Sequence, residues 1–191
     1  MKRNQKASPK SLKGKTVLVC VSGSIAAYRS CDLVRELRFA GAKVICLMTK
    51  AAQQFVSSLT FQALSGNPVH SDPFAKDEDW SVLHTKLADE ADLILISPAT
   101  ADVIARLAAG FADDLVTSVV LASRTKVLIA PAMNDHMYAH PMTRENIEKL
   151  KSIGYHFVSP IEGDLVCGRV GVGHIAESDL IFKTAAKLLH A

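Results

Sequence analysis

The chain has no Gly-x-Gly-x-x-Gly, no Cys-x-x-Cys and no apolar run approaching the length of a membrane span. The first absence removes the dinucleotide fingerprint, whose three glycines let a turn close on a pyrophosphate. The second removes the common thiol spacing of redox and zinc sites. Cys20, Cys31, Cys46 and Cys167 are too sparse for a disulfide scaffold and fit a reducing, cytoplasmic setting. The third excludes a spanning helix, and residues 17–21 are too short for a signal-peptide core. Acidic residues are missing from the first fifteen positions, which hold Lys2, Arg3, Lys6, Lys10, Lys13 and Lys15. The formal charge of +3 therefore belongs to this tail, because the remainder carries 16 basic against 19 acidic residues. Nucleic-acid binding by the folded body is not expected. Residues 1–14 read as a basic flexible tail, whether a disordered leader, a cloning remnant or a targeting segment. Residues 15–191 read as one domain, since the length suffices for one well-filled core and is short for two.

What is present alternates strands with helices. Thr16–Val21 is a continuous apolar run ending in Ser22-Gly23-Ser24-Ile25, after which Cys31, Val34 and Leu37 recur at helical spacing until Gly41. Either this is a plain strand-to-helix turn, or Gly23 lets the backbone approach a ligand while Ser22 and Ser24 bring hydroxyls and N–H groups to an anion at a helix N-terminus. Residues 42–48 supply a second strand, ending at Thr49-Lys50 where a nicotinamide site would place an acid, which argues against NAD. Thr49 and Lys50 either meet a phosphate or Thr49 caps a helix running through Phe55, Leu59, Phe61 and Leu64. Taken together, the two loops favour a phosphorylated mononucleotide. Residues 92–96 form a third strand whose exit loop leads through Thr100, Ala101, Asp102 and Val103 into a helix ending at Gly110. Thr-x-Asp there is also ordinary capping chemistry. The pattern is α/β, a doubly wound parallel sheet of Rossmann-like or flavodoxin-like type in a single domain.

Residues 127–130 make a fourth strand, and Pro131, lacking a backbone donor, is expected to end its pairing. Asn134 follows Ala132 and Met133 just beyond the strand's carboxyl end. It either caps the next helical turn or offers an uncharged amide to a carboxylate. His84 lies in a short helix beside apolar positions, as a half-buried structural residue or a proton-exchanging one. Asp113 and Asp114 read as a helix start. His136 and His140 are one turn apart, but Pro141 follows and no third ligand is evident, so no metal is expected. An amphipathic segment spans 144–151, a strand 155–158 and a closing helix 180–189. Gly163, Gly168, Gly171 and Gly173 crowd around Cys167, four of the chain's ten glycines, and predict a mobile flap or ligand-hugging loop. Cys20 and Cys46, inside strands, read as buried apolar residues.

These pieces stand in one order: Gly23-Ser24-Ile25-Ala26-Ala27, Val82-Leu83-His84, Pro98-Ala99-Thr100-Ala101-Asp102, the stretch 109–115, Pro131-Ala132-Met133-Asn134-Asp135-His136-Met137-Tyr138 and Cys167-Gly168. The chain so ordered resembles the flavin-containing cysteine decarboxylases, above all the branch that decarboxylates phosphopantothenoylcysteine to phosphopantetheine in coenzyme A biosynthesis. The resemblance implies FMN held by Gly23, Ser24, Ile25, Thr49, Lys50, Thr100, Ala101, Asp102 and Val103, with Ala132 close by. It implies Asn134 and Met133 at the substrate, Asn134 on the carboxylate, His84 orienting it or moving a proton, and Cys167 donating the proton needed to saturate an enethiol. It implies a homotrimer or dodecamer with the histidine supplied across an interface. It also implies a phosphopantothenate–cysteine ligase, as a fused domain or separate protein, that makes the substrate. Relatives that decarboxylate a peptide's C-terminal cysteine lack the counterpart of Cys167. Non-catalytic FMN-binding regulatory subunits on this pattern carry acidic extensions, which this chain has not. Arg169, Asp102 and Tyr138 depart from residues frequent in relatives.

Overall fold

The computed structural model describes residues 11–72, 83–164, 168 and 170–191. Val82, Cys167 and Arg169 lie outside the described residues. Six strands, β1 (Thr16–Val21), β2 (Lys43–Met48), β3 (Val69–His70), β4 (Leu93–Ala99), β5 (Lys126–Pro131) and β6 (His156–Phe157), form one sheet in the order β3-β2-β1-β4-β5-β6. All its pairings are parallel. The strand order reverses between β1 and β4, which is where doubly wound sheets open a crevice.

Helices cover both faces, so the central strands are apolar on both sides instead of alternating. On one face Val17, Val19 and Val21 pack with Leu33, Val34 and Leu37 of α1 (Arg29–Phe39) and Ile181, Phe182 and Ala185 of α8 (Ser178–His190). On the other, Leu18, Ile94, Ile96 and Ile129 pack with α3 (Leu83–Glu90), α4 (Ala101–Ala109), α5 (Leu115–Ala122) and α7 (Pro141–Ser152). Cys20 and Cys46 are buried in these layers, and burial pushes the Cys46 thiol up to about 12, so neither is a nucleophile. Leu12, in the stretch read as tail, is fully buried and donates its N–H to Ala40 O.

Four details differ from the sequence reading. Pro131 is the last residue of β5 but is still paired, with Ala99, and Ala132 N–H donates to Ala99 O at 2.9 Å. In a parallel ladder successive residues bond to opposite neighbours, and Val158 N–H already donates to Ile129 O. Pro131 faces the same side as Ile129, beyond the end of β6, so its missing donor costs no ladder bond. β4 likewise continues past Ile96 to Ala99, with a register irregularity between them. The helix expected after Thr49 is two pieces. Thr49 Oγ1 accepts from Ala52 N–H and starts a 3-10 turn over Ala52–Gln54, while Ser57 caps α2 (Ser58–Ser65). Of the apolar positions that suggested one helix, Phe55 and Leu59 are exposed and Phe61 is buried. Finally, the glycine-rich stretch, read as a mobile flap or ligand-hugging loop, contains two paired antiparallel strands, β7 (Ile161–Asp164) and β8 (Val170–His174).

Candidate active site

Ser22, 1% exposed, closes the switch point: its Oγ donates to Pro98 O at 2.7 Å and accepts from Thr100 N–H at 3.1 Å. The hydroxyl is thereby turned toward β4 and ties the exit turns of β1 and β4 together. Ser24 Oγ accepts from Ala26 N–H, capping the 3-10 turn Ile25–Tyr28 that leads into α1. Gly23 has a reason of its own. A Cβ there would collide with Ala51 Cβ, so glycine is what allows the turns after β1 and β2 to touch. Thr100 Oγ1 accepts from Val103 N–H and caps α4.

These three turns open on one cleft of about 680 Å³, within the range of small-molecule sites. Gly23, Thr49, Lys50, Thr100, Asp102 and Val103 line it. Met48, Leu115, Val116 and Met137 add apolar surface. Sequence reading missed Arg106 in this wall. Its Nε lies 3.3 Å from Asp102 Oδ2, and its Nη1 lies 2.5 Å from Asp113 Oδ1 and 3.5 Å from Asp114 Oδ2. Burial opposes the guanidinium charge, but the three carboxylates outweigh it and raise its pKa. The i,i+4 spacing of Asp102 and Arg106 was the available signal. Asp114 also starts α5 with a capping box shared with Thr117. Among the described residues no three His, Cys, Asp or Glu side chains gather into a metal-sized group.

Asn134 caps the short helix α6 (Asp135–Ala139): its Oδ1 accepts from His136 N–H at 3.0 Å. Met137, one turn on, lines the 680 Å³ cleft, while His136 and Tyr138 line a second hollow of about 420 Å³ with Arg144, Gly171 and Val172. α6 is thus the wall between the two. The loop before it is fixed by Met133 N–H donating to Gly173 O at 3.0 Å. A Cβ on Gly173 would collide with Met133 O, and one on Gly171 would come within 2.8 Å of Asp135 Cβ. These glycines serve close packing of β8 against the Asn134 loop. Gly173→Ala is therefore expected to cost about 1–3 kcal/mol, the usual penalty of forced overpacking, read as a lowered midpoint in denaturant. His84, half-buried on α3, lines neither hollow, and Ser24, Ile25, Ala101, Ala132 and Met133 stand beside the cleft in sequence without lining it.

Comparison with known proteins gives a consistent set. The family model described as Flavoprotein matches residues 5–190. The coenzyme A biosynthesis bifunctional protein CoaBC of Bacillus subtilis is 49% identical over 176 residues, covering 92% of this chain and 43% of that protein. A probable phosphopantothenoylcysteine decarboxylase of Streptococcus mutans is 47% identical over 171 residues, covering 88% of this chain and 96% of that one. The chain thus spans less than half the length of the bifunctional relatives and nearly all of the shorter one. Among solved structures, a PPC decarboxylase mutant complexed with pantothenoylaminoethenethiol superposes with a TM-score of 0.82 at 28% identity, covering 93% of this chain and 99% of that chain. The FMN-dependent cysteine decarboxylase SpaF superposes with a TM-score of 0.81 at 29% identity, covering 95% of this chain and 100% of that chain.

Proposed function

This chain belongs to the flavoprotein family, and from that premise we propose that it is an FMN-dependent decarboxylase that converts phosphopantothenoylcysteine to phosphopantetheine in coenzyme A biosynthesis. The observation that carries the reading is the single cleft in which the turns after β1, β2 and β4 meet the helix capped by Asn134. The residues present fit FMN. The turn built by Gly23 against Ala51 and the Lys50 ammonium suit a phosphate, while Met48, Val103, Leu115 and Val116 suit a flat ring. FMN, when bound, supplies the two-electron oxidation of the cysteinyl side chain that makes its carboxylate labile, and returns the same two electrons afterwards, so the decarboxylation is redox-neutral overall.

The chain's own residues do the rest. The capping bond commits Asn134 Oδ1 as an acceptor and fixes the amide plane, and the amide is the uncharged polarity a carboxylate recognises. Its neutrality matters, because a cation would stabilise the ground-state charge that must be dispersed. Cys167 donates the proton that completes reduction of the enethiol. His84 orients the carboxylate or moves a proton in a homo-oligomer, trimeric or dodecameric, where a neighbouring copy supplies it. Supporting such an assembly, Ile25 and Tyr28 beside the Gly23 turn are 52% and 57% exposed. A phosphopantothenate–cysteine ligase supplies the substrate. Among the described residues no helix is long and apolar enough to cross a membrane.

The test is sedimentation of the yellow holoprotein followed by its anaerobic incubation with phosphopantothenoylcysteine. Carbon dioxide and a saturated thiol in equal amounts, from an oligomer, are expected. A flavin-loaded monomer with full turnover removes the shared site, and absence of carbon dioxide removes the decarboxylase reading.

A further inference from the structure

Arg106 stands in the cleft wall with more acid around it than one guanidinium can neutralise. Asp102, Asp113 and Asp114 all lie within ion-pair distance of it, three carboxylates against one cation. Thr100 already caps α4, and the box of Asp114 with Thr117 already starts α5, so neither helix needs the guanidinium to satisfy its first turn. Asp102 and Asp113 are more than half exposed, and exposed ion pairs contribute little to stability. A staple for stability would be complete with one carboxylate. What all four side chains share is the cleft, which each of them lines. Asp102 and Asp114 stand at the starts of α4 and α5, where negative charge is favourable, and those two helix starts bring it to the cleft.

Around the whole cleft, the described lining residues carry two cations, Lys50 and Arg106, against four carboxylates, the three above and Asp72. FMN brings a phosphate monoester of about −1.5 to −2 charge into that space. The screening length is about 10 Å at 0.1 M salt, so a phosphate near Lys50 still feels the acidic wall. We propose that Arg106 is a positioning residue for the cofactor's phosphate and acts through charge: it offsets the carboxylates of α4 and α5, so that the phosphate is accepted beside Gly23 and Lys50. The proposal deepens the FMN reading and rests on it. Arg106 needs no contact with the phosphate, which separates its role from that of Lys50. Its loss makes the cleft disfavour FMN against riboflavin, the same ring and ribityl chain without the phosphate.

Holoprotein of the parent and of Arg106→Gln, Arg106→Lys, Asp113→Asn and the double variant Arg106→Gln/Asp113→Asn is dialysed against FMN with a graded excess of riboflavin, and the bound flavins are separated and counted. In Arg106→Gln the ratio of bound FMN to riboflavin is expected to fall about fivefold to fiftyfold at low salt, the scale of one charge acting on a phosphate through water. About 1 M salt, which shortens the screening length to about 3 Å, should remove most of that deficit. Arg106→Lys keeps the charge and should stay within about threefold of the parent ratio. The double variant restores the charge balance while losing a further bond, and should recover most of the ratio. A purely structural tie gives another pattern: both flavins are lost together, the ratio does not move, and the double variant is worse than the single one. An unmoved ratio in Arg106→Gln, or a double variant with no recovery, overturns the proposal. Should Arg106→Gln fail to fold, Asp113→Asn decides it: one anion fewer should raise the ratio, and an unchanged ratio overturns the proposal. A parent that takes up neither flavin strikes the FMN reading itself, and the proposal falls with it.

Discussion

Asn134→Asp is expected to lower kcat/KM for carbon dioxide release by about a thousandfold with the fold unchanged. Two unit charges about 4 Å apart repel by about 4 kcal/mol at an effective dielectric near 20, and that energy is about three decades of rate. A carboxylate in place of the amide meets the substrate carboxylate with like charge and offers it no donor. The substitution also separates the two roles of this residue. Asp is as good a cap as Asn, and a negative charge at a helix N-terminus is favourable, so α6 keeps its first turn and the His136 N–H its acceptor. If Asn134 only starts the helix, the variant works normally. Full turnover with an unchanged denaturation midpoint would therefore leave the cap and remove the substrate contact. Lost turnover together with lost stability would instead show that Asp does not reproduce the cap at this position.

The sheet was legible because burial on both faces writes each central strand as an unbroken apolar run, as in β1 and β4. The caps were legible because Thr100, Asp114 and Asn134 are the residue types that local backbone donors select. What failed depended on neighbours distant in sequence. Nothing near Pro131, the last residue of β5, says that β6 stops short of it, so the missing donor was read as ending the pairing one residue too early. Gly171 and Gly173 looked like flexibility because their close approach to Met133 and Asp135 is a tertiary fact. Arg106 was passed over because a basic residue on a helix face normally faces solvent, and only the fold brings Asp113 and Asp114 back to it. Gly23 was read as letting the backbone approach a ligand; it lines the cleft, and its missing Cβ is also what admits Ala51. That contact nonetheless creates the site, since it holds the turns after β1 and β2 side by side.

Cys167→Ser is expected to release one carbon dioxide per bound cofactor under anaerobic conditions and then stop. A serine hydroxyl is a far weaker acid than a thiol, and removing a general acid costs about a hundredfold to ten-thousandfold in the step it serves. The first half of the reaction, which uses Asn134, proceeds. The second does not, so the enethiol remains and the two electrons taken from the substrate have no acceptor. Admitting air supplies one, dioxygen, and turnover should resume with enethiol as the accumulating product and the saturated thiol nearly absent. The solved relative that holds pantothenoylaminoethenethiol is itself a mutant of a PPC decarboxylase, which is the kind of species this variant should retain. Quantifying both thiols by mass beside the carbon dioxide yield separates the halves. Equal yields of saturated thiol from parent and variant would take Cys167 out of the chemistry. A variant that releases no carbon dioxide at all would place Cys167 in the first half, beside Asn134.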